Sequence, residues 1–310
     1  MRSHPDGTLI LCLSMERSMP ADSWGRMAEW YDAKQGDTGD FWHRTLIDPT
    51  FLRVVGDVRG LHVLDLGCGN GYLSRRFAQG GAKVVAVDAS APVIDRARAR
   101  ESQEPLGIEY RVADAARLEF LRAGTFDLVT CHMALMDIED ADRAIGEVGR
   151  VLHTSGRFVA SLSHPCFDQG PSSTWMIERL FRATKVWRKI ERYREPFADE
   201  IPWEIAPGQI VTTTGYHRPL SWYGRVLRGA GLLIRSLEEA WPTQEFVEAS
   251  PQGPYVAEIP LHLIFEAIKS DQGSGNPRHS GRRPEVAGGA LSECYSYLTI
   301  TSAAAKRPSR

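Results

Sequence analysis

V-L-D-L-G-C-G-N-G-Y-L, residues 63–73, is the stretch on which the reading of this chain turns. Val63, Leu64, Asp65 and Leu66 predict a short buried strand. Gly67, Gly69 and Gly71 predict a glycine-rich turn, and Tyr72 to Gln79 a helix. That order sets backbone N–H groups and a helix N-terminus at the carboxyl end of a strand, which makes a cradle for a small polar ligand. Glycine suits the turn because its dihedrals are unusual and because the ligand must approach the backbone closely.

Outward from this stretch, strand and helix patterns alternate. Lys83 to Val87 predicts a second buried strand ending in Asp88, and Pro92 to Arg100 a helix. Asp88 lies 17 residues after Gly71, where an α/β nucleotide fold holds a ribose diol. A carboxylate there can accept both hydroxyl protons. A helix N-cap is the other reading of Asp88, but Ser90 could fill that role. Ile108 to Val112 predicts a third strand followed by A-D-A-A, residues 113–116. Phe126 to Cys131 predicts a fourth, followed by His132, Met133 and the rest of H-M-A-L-M-D. Asp140 to Leu152 reads as an amphipathic helix, and Arg157 to Leu162 as the fifth strand after the turn at Gly156.

The spacing separates two families of cradle. A dinucleotide fingerprint, G-x-G-x-x-G, would place its third glycine where this chain has Tyr72. The pattern here is G-x-G-x-G preceded by Asp65, and it resembles motif I of the class I S-adenosylmethionine-dependent methyltransferases. The order and spacing of elements from Asp65 to Leu162, including V-L-x-x-x-G-x-F near the fifth strand, are similar to that family throughout. The resemblance implies an α/β fold with a seven-stranded, mostly parallel sheet in the order 3-2-1-4-5-7-6 and helices on both faces. It implies S-adenosylmethionine as cofactor, S-adenosylhomocysteine as product, and no metal. It carries Asp65, Gly67, Gly69, Gly71, Asp88, Ala89, Asp114, Ala115 and His132 into the cofactor site, with Asp114 at the adenine. A tyrosine of an N-terminal helix covers the cofactor in many members, and Tyr31 matches it, with Trp42 and His43 behind.

Residues 21–58 are expected to be mostly helical, with Trp24, Met27, Trp30 and Tyr31 on one stripe, and to cap the domain at 59–269. Residues 163–220 break the alternation. This insert opens S-H-P-C-F and carries Trp175, Trp187, Tyr193, Phe197, Trp203 and Tyr216 among charges. Met176 to Tyr193 reads as a basic amphipathic helix, Trp222 to Gly231 as another helix, Leu232 to Leu237 as the sixth strand and Ile259 to Ala267 as the seventh. An insert of this length, with aromatics enough to fold, reads as a substrate lid, and dimer contact is its other reading. Residues 1–20 read as a flexible leader, with Met15 or Met19 as candidate starts, and residues 270–310 as a largely disordered tail.

Bulk properties narrow the partners. The chain has 310 residues and a formal net charge of −2, so nothing marks it as a nucleic-acid binder. Five scattered cysteines without C-x-x-C spacing argue against a disulfide framework or structural zinc and fit the cytoplasm. No apolar run approaches the length of about 18 residues that a membrane span needs.

Methyl transfer requires alignment, exclusion of water and, for some acceptors, removal of a proton. Histidine suits that last task at neutral pH. His164, just past the fifth strand, is the first candidate for base or substrate-orienting group, with positioning of the lid as its other reading; His43 is the second. Trp42, Met133, Trp175 and Tyr216 are the candidate acceptor contacts. The expected function is methylation of a small, aromatic or secondary-metabolite acceptor on O, N or C. The alternatives are an NAD-dependent oxidoreductase on a similar sheet, an RNA or protein methyltransferase, and a non-catalytic cofactor-binding module.

Overall fold

A computed structural model describes residues 22–180 and 183–271. The expected leader, both candidate starts and nearly all of the expected tail lie outside those residues. The N-terminal segment folds as two short helices, α1 (Ser23–Arg26) and α2 (Ala28–Gln35), then a π-turn at His43–Ile47 that runs into α3 (Asp48–Val55). Then come β1 (His62–Leu66), α4 (Tyr72–Gln79), β2 (Lys83–Asp88), α5 (Ala91–Gln103), β3 (Glu109–Val112), β4 (Phe126–His132), α6 (Ala141–Val151) and β5 (Leu152–Ser163). The insert supplies β6 (Ser173–Leu180), β7 (Ala183–Ile190), β8 (Phe197–Ala206) and β9 (Gln209–His217). The chain continues through α7 (Leu220–Gly229), β10 (Leu232–Glu239), α8 (Gln244–Ala249), α9 (Gly253–Val256) and β11 (His262–Lys269).

The main sheet runs β10-β11-β5-β4-β1-β2-β3. With the strands of the insert set aside, this is the expected order 3-2-1-4-5-7-6. The pairs from β5 to β3 are parallel, and β11 runs antiparallel to both β5 and β10. Helices cover both faces, which is why the central strands read as continuous apolar runs. On one face Leu64, Leu66 and Phe158 pack with Ile145 and Val148 of α6 and Leu227 of α7. On the other, Val63, Leu128 and Val159 pack with Phe51 and Val55 of α3, Phe77 of α4 and Ile94 of α5. All the parallel strands therefore end on one edge, where loops and helix N-termini gather.

The insert departs from expectation. Met176–Tyr193 is not a helix: β6 and β7 form an antiparallel hairpin in which Met176 faces Trp187 and Ile177 faces Val186. Aromatic and β-branched residues favour that pleated surface over a helix. Met176 and Trp187 on one face of the hairpin and Ile177 on the other are exposed. A second hairpin, β8–β9, turns at Ala206-Pro207-Gly208-Gln209, with Gly208 at φ 76°. Proline followed by a positive-φ glycine is the sequence signature of a tight turn.

Candidate active site

The glycine turn stands at the carboxyl end of β1, and close neighbours dictate its glycines. Gly67 has φ 64°, and a Cβ there would lie 2.4 Å from the Ala134 Cβ. Gly69 has φ 57°, and a Cβ there would lie 2.6 Å from the Tyr31 hydroxyl. Asp88, half-buried at the end of β2, accepts the Gly69 N–H through Oδ2 at 3.0 Å and the Ser90 N–H through Oδ1 at 2.9 Å. Burial raises its pKa against those two hydrogen bonds. Each of its oxygens keeps a lone pair for a further donor.

Asp65 works beneath the turn. It is 2% exposed, and its oxygens accept the Ser74 hydroxyl at 2.6 Å and the Thr130 hydroxyl at 2.8 Å. Burial pushes its pKa up to about 6 against those bonds. Asp65, expected among the cofactor contacts, ties β1 to α4 and β4 and supports the cradle from below. Asp114 and Ala115 stand at the end of β3, next to the Asp88–Ala89 end of β2. Asp114 is exposed; its Oδ1 accepts the Ala116 N–H at 2.9 Å, which closes the turn, and its Oδ2 lies 3.7 Å from Arg117 Nε.

The N-terminal helices roof the turn. Tyr31 sits directly over Gly69, and burial, then the Asp88 charge, raises its phenol pKa. Asn70, inside the glycine motif and fully buried, donates to Asp32 Oδ1 at 3.0 Å and to the Gly36 carbonyl at 2.9 Å. Asp32 also binds Arg100 of α5. Asp22 accepts the Ser90 hydroxyl at 3.0 Å, beside Asp88. Asn70 was within reach of the sequence, since a side-chain amide in a glycine turn asks for a partner; Asp22 and Asp32 carried no local signal.

Beyond β4 the expected residues divide. His132 is buried at the end of β4. Its Nδ1 lies 2.8 Å from the Ser161 hydroxyl and its Nε2 3.0 Å from Asp48 Oδ1, while Tyr72 donates to the same carboxylate. The ring is buried between the sheet and α3 beside Phe51 and Tyr72, and Nε2 faces Asp48 without a hydrogen bond. Met133, at φ 50°, is fixed by its N–H to the Ser161 hydroxyl at 3.0 Å. Trp42, Met133 and Trp175 pack against one small apolar cluster that includes Phe246 and Leu261. Tyr216 stands apart, with Arg218 5.1 Å over its ring, in a cavity of about 380 Å³ lined also by Phe197 and Trp222.

The two candidate bases also divide. His164 lines a cavity of about 600 Å³ with Phe167, Glu239 and Trp241. Its ring is nearly enclosed: Nδ1 accepts the Cys166 N–H at 3.1 Å and Nε2 lies 3.6 Å from Glu239 Oε1. An Nδ1 that accepts puts the neutral ring's proton on Nε2, which faces Glu239. With Nδ1 accepting and Nε2 turned toward Glu239, His164 stands at the root of the insert, where its positioning reading would put it. His43 has the opposite arrangement. Asp40 Oδ1 accepts both its backbone N–H, at 2.9 Å, and its Nδ1–H, at 2.8 Å. That bond fixes the tautomer and leaves Nε2 as a lone pair. His43 opens the π-turn, a local irregularity common at functional sites. Asp137, in the turn after β4, was not singled out from the sequence; burial and the nearby Asp88 charge push its pKa up to about 8.

Residues 64–160 match the family model described as a methyltransferase domain. A solved S-adenosylmethionine-dependent methyltransferase from Mesorhizobium loti is 30% identical with a TM-score of 0.58, over 71% of this chain and 96% of that one. The fold is shared with an S-adenosylmethionine-dependent methyltransferase from Clostridium acetobutylicum, at 16% identity and TM-score 0.53, over 80% of this chain and 99% of that one. A ubiquinone biosynthesis O-methyltransferase from Coxiella burnetii is 36% identical over 121 residues, which are 37% of this chain and 50% of that protein. The chain thus spans about half the length of the curated relatives it matches. The fold and the cradle define a class I, Rossmann-like methyltransferase architecture. The chain belongs to the S-adenosylmethionine-dependent methyltransferases.

Proposed function

We propose that this chain transfers the methyl group of S-adenosylmethionine to a hydroxyl of a small aromatic acceptor. The observation that carries the reading is the Asp88 carboxylate, bound to the Gly69 N–H and roofed by Tyr31, because it leaves acceptor oxygens beside a cradle that only glycine fits. The bound cofactor would supply an electrophilic methyl on a cationic sulfur. Asp88 would take the ribose hydroxyls, Asp114 the adenine amine, and the glycine turn and Tyr31 the remainder. Trp42, Met133 and Trp175 would form the apolar wall against which an aromatic ring lies and from which water is excluded.

His43 would take the acceptor proton on Nε2 while Asp40 holds its Nδ1–H. The methyl would pass to the acceptor oxygen, whose proton would go to His43, while the electron pair of the broken carbon–sulfur bond would stay on sulfur. Oxygen is favoured over nitrogen and carbon because a poised imidazole serves a hydroxyl best, and the curated relatives named above are O-methyltransferases. The segment 163–220 would act as the acceptor lid, in a cytoplasmic protein whose dimerisation through the same segment remains the other use of that surface.

Calorimetric titration with S-adenosylhomocysteine and, separately, with NAD tests the reading. Micromolar binding of the first alone supports it; binding of NAD alone overturns it. A panel of phenols with labelled S-adenosylmethionine then tests the acceptor class, with His43→Ala expected to retain cofactor affinity and lose turnover.

A further inference from the structure

Three tryptophans from distant parts of the chain meet above the cradle. Trp24 of α1 and Trp30 of α2 lie against Trp203 of β8, with ring centroids 5.8 Å and 6.1 Å away. Trp24 also meets Tyr31 edge-on at 5.5 Å, and Tyr31 is the residue seated on Gly69. Both sides of this contact are braced. The Trp203 indole N–H donates to Thr213 Oγ1 across the hairpin at 2.9 Å, and Thr213 is buried. On the other side Asp22 caps α1 through the Gly25 N–H and holds Ser90, while Asp32 fastens α2 to Asn70.

The hairpin that carries Trp203 also packs on the turn at Leu135–Asp137 and on α1. No residue of β8 or β9 belongs to either hydrophobic cluster of the main sheet. It can therefore move without opening the core, whereas Tyr31 and α1 sit directly on the turn. Edge-on and tilted aromatic pairs of this kind each hold a contact with a modest, separable strength.

We propose that Trp203 is a further residue of the cofactor site: seated on Trp24 and Trp30, it locks the helices that roof the glycine turn, and bound cofactor leaves only when this clasp opens. The proposal rests on the reading that the cradle binds S-adenosylmethionine, and it adds a retention element supplied by the insert. It requires no chemistry, only that the aromatic contact and the occupied cradle stabilise one another.

The test is the dissociation rate of tritiated S-adenosylhomocysteine from the full-length protein, chased with unlabelled compound. Trp203→Ala should release the label about tenfold faster or more, and Trp203→Phe, which keeps an aromatic face, should stay within about threefold of the wild type. Trp30→Ala, on the opposite side of the clasp, should match Trp203→Ala, and the double variant should be no faster than either alone. Should Trp203→Ala fail to fold, Trp30→Ala and Trp24→Ala carry the same comparison. A Trp203→Ala or Trp30→Ala protein that melts like the wild type and releases label within twofold of its rate would overturn the clasp, as would additive acceleration in the double variant. A wild-type protein that does not retain S-adenosylhomocysteine at all would instead overturn the cofactor reading, and the clasp with it.

Discussion

His262 begins β11 with its ring near Trp42, 6.3 Å between centroids, and its Nδ1 has no hydrogen-bond partner among the described residues. Burial, reinforced by His43, His132 and His164, pushes its pKa down to about 3. The unfolded chain takes this proton below its ordinary value of about 6.5, while the folded chain refuses it until about 3. Stability from this group is therefore complete above the unfolded value and is lost as pH falls through that window. At pH 4.5 the loss is on the order of 2–3 kcal/mol. His262→Phe keeps the aromatic contact and should remove most of that loss, read as a smaller drop in urea-unfolding free energy between pH 7 and pH 4.5. Asp88 makes a second residue-scale case. Its removal deletes a charged acceptor pair, which is worth roughly 2–3 kcal/mol, so Asp88→Ala should weaken S-adenosylhomocysteine binding about 30- to 160-fold by calorimetry. Unchanged affinity would remove Asp88 from the cofactor site. The place of Asp88 at the end of β2, bonded to the glycine turn, was legible because strand, acid and turn are local to one βαβ unit. For His132 and His164 the sequence shows which strand end holds a histidine but not what each of its nitrogens faces.

At the scale of elements, the joint between the glycine turn and α2 decides whether the roof stays in place. Asn70 spans that joint with two hydrogen bonds, and Asp32 passes it on to Arg100 of α5. Asn70→Ala leaves Gly36 and Asp32 each short of a donor in a half-buried setting, at about 1–3 kcal/mol. The expected result is a lower urea midpoint with an unchanged slope, together with faster proteolytic cleavage around α1 and α2. A variant as resistant as the wild type would show that the helices are held by packing alone. The helix boundaries near this joint were readable: Tyr72–Gln79 falls where the apolar spacing put it. The insert was not. Lys185, Arg188 and Lys189 suggested a basic helix, yet in the hairpin Arg188 pairs with Asp168 at 2.9 Å and lies over Trp175 at 5.0 Å. Charges that satisfy partners across a strand look, in sequence, like the solvated face of a helix.

Across the whole molecule, the sheet and the two hairpins do separate jobs, and the separation explains which parts were legible. The parallel strands are buried on both faces, so V-L-D-L, K-V-V-A-V and R-F-V-A-S-L announce themselves and their order follows from the alternation with helices. The hairpins have no such constraint, and their partners, Trp24 and Trp30 for Trp203 and Gln252 for Trp175, come from segments far away in sequence. A whole-molecule prediction follows from that division. Ser173 pairs with Ile190 at the base of β6–β7, so residues 174–189 can be replaced by a short glycine-rich turn. Neither large cluster of the sheet contains a residue of this hairpin. Cooperative thermal unfolding should persist, with the midpoint moved by no more than about 5 °C, since the ΔΔG from surface contacts of this kind is about 1 kcal/mol. Affinity for S-adenosylhomocysteine should stay within about twofold, because the cradle, Asp88 and Tyr31 are untouched. Methylation of any acceptor found by screening should fall sharply, because Trp175 leaves the wall it shares with Trp42 and Met133. Circular dichroism and calorimetry on the same preparation separate the outcomes. Loss of cooperative unfolding would make the hairpin part of the folding core, while intact turnover would remove it from the acceptor site.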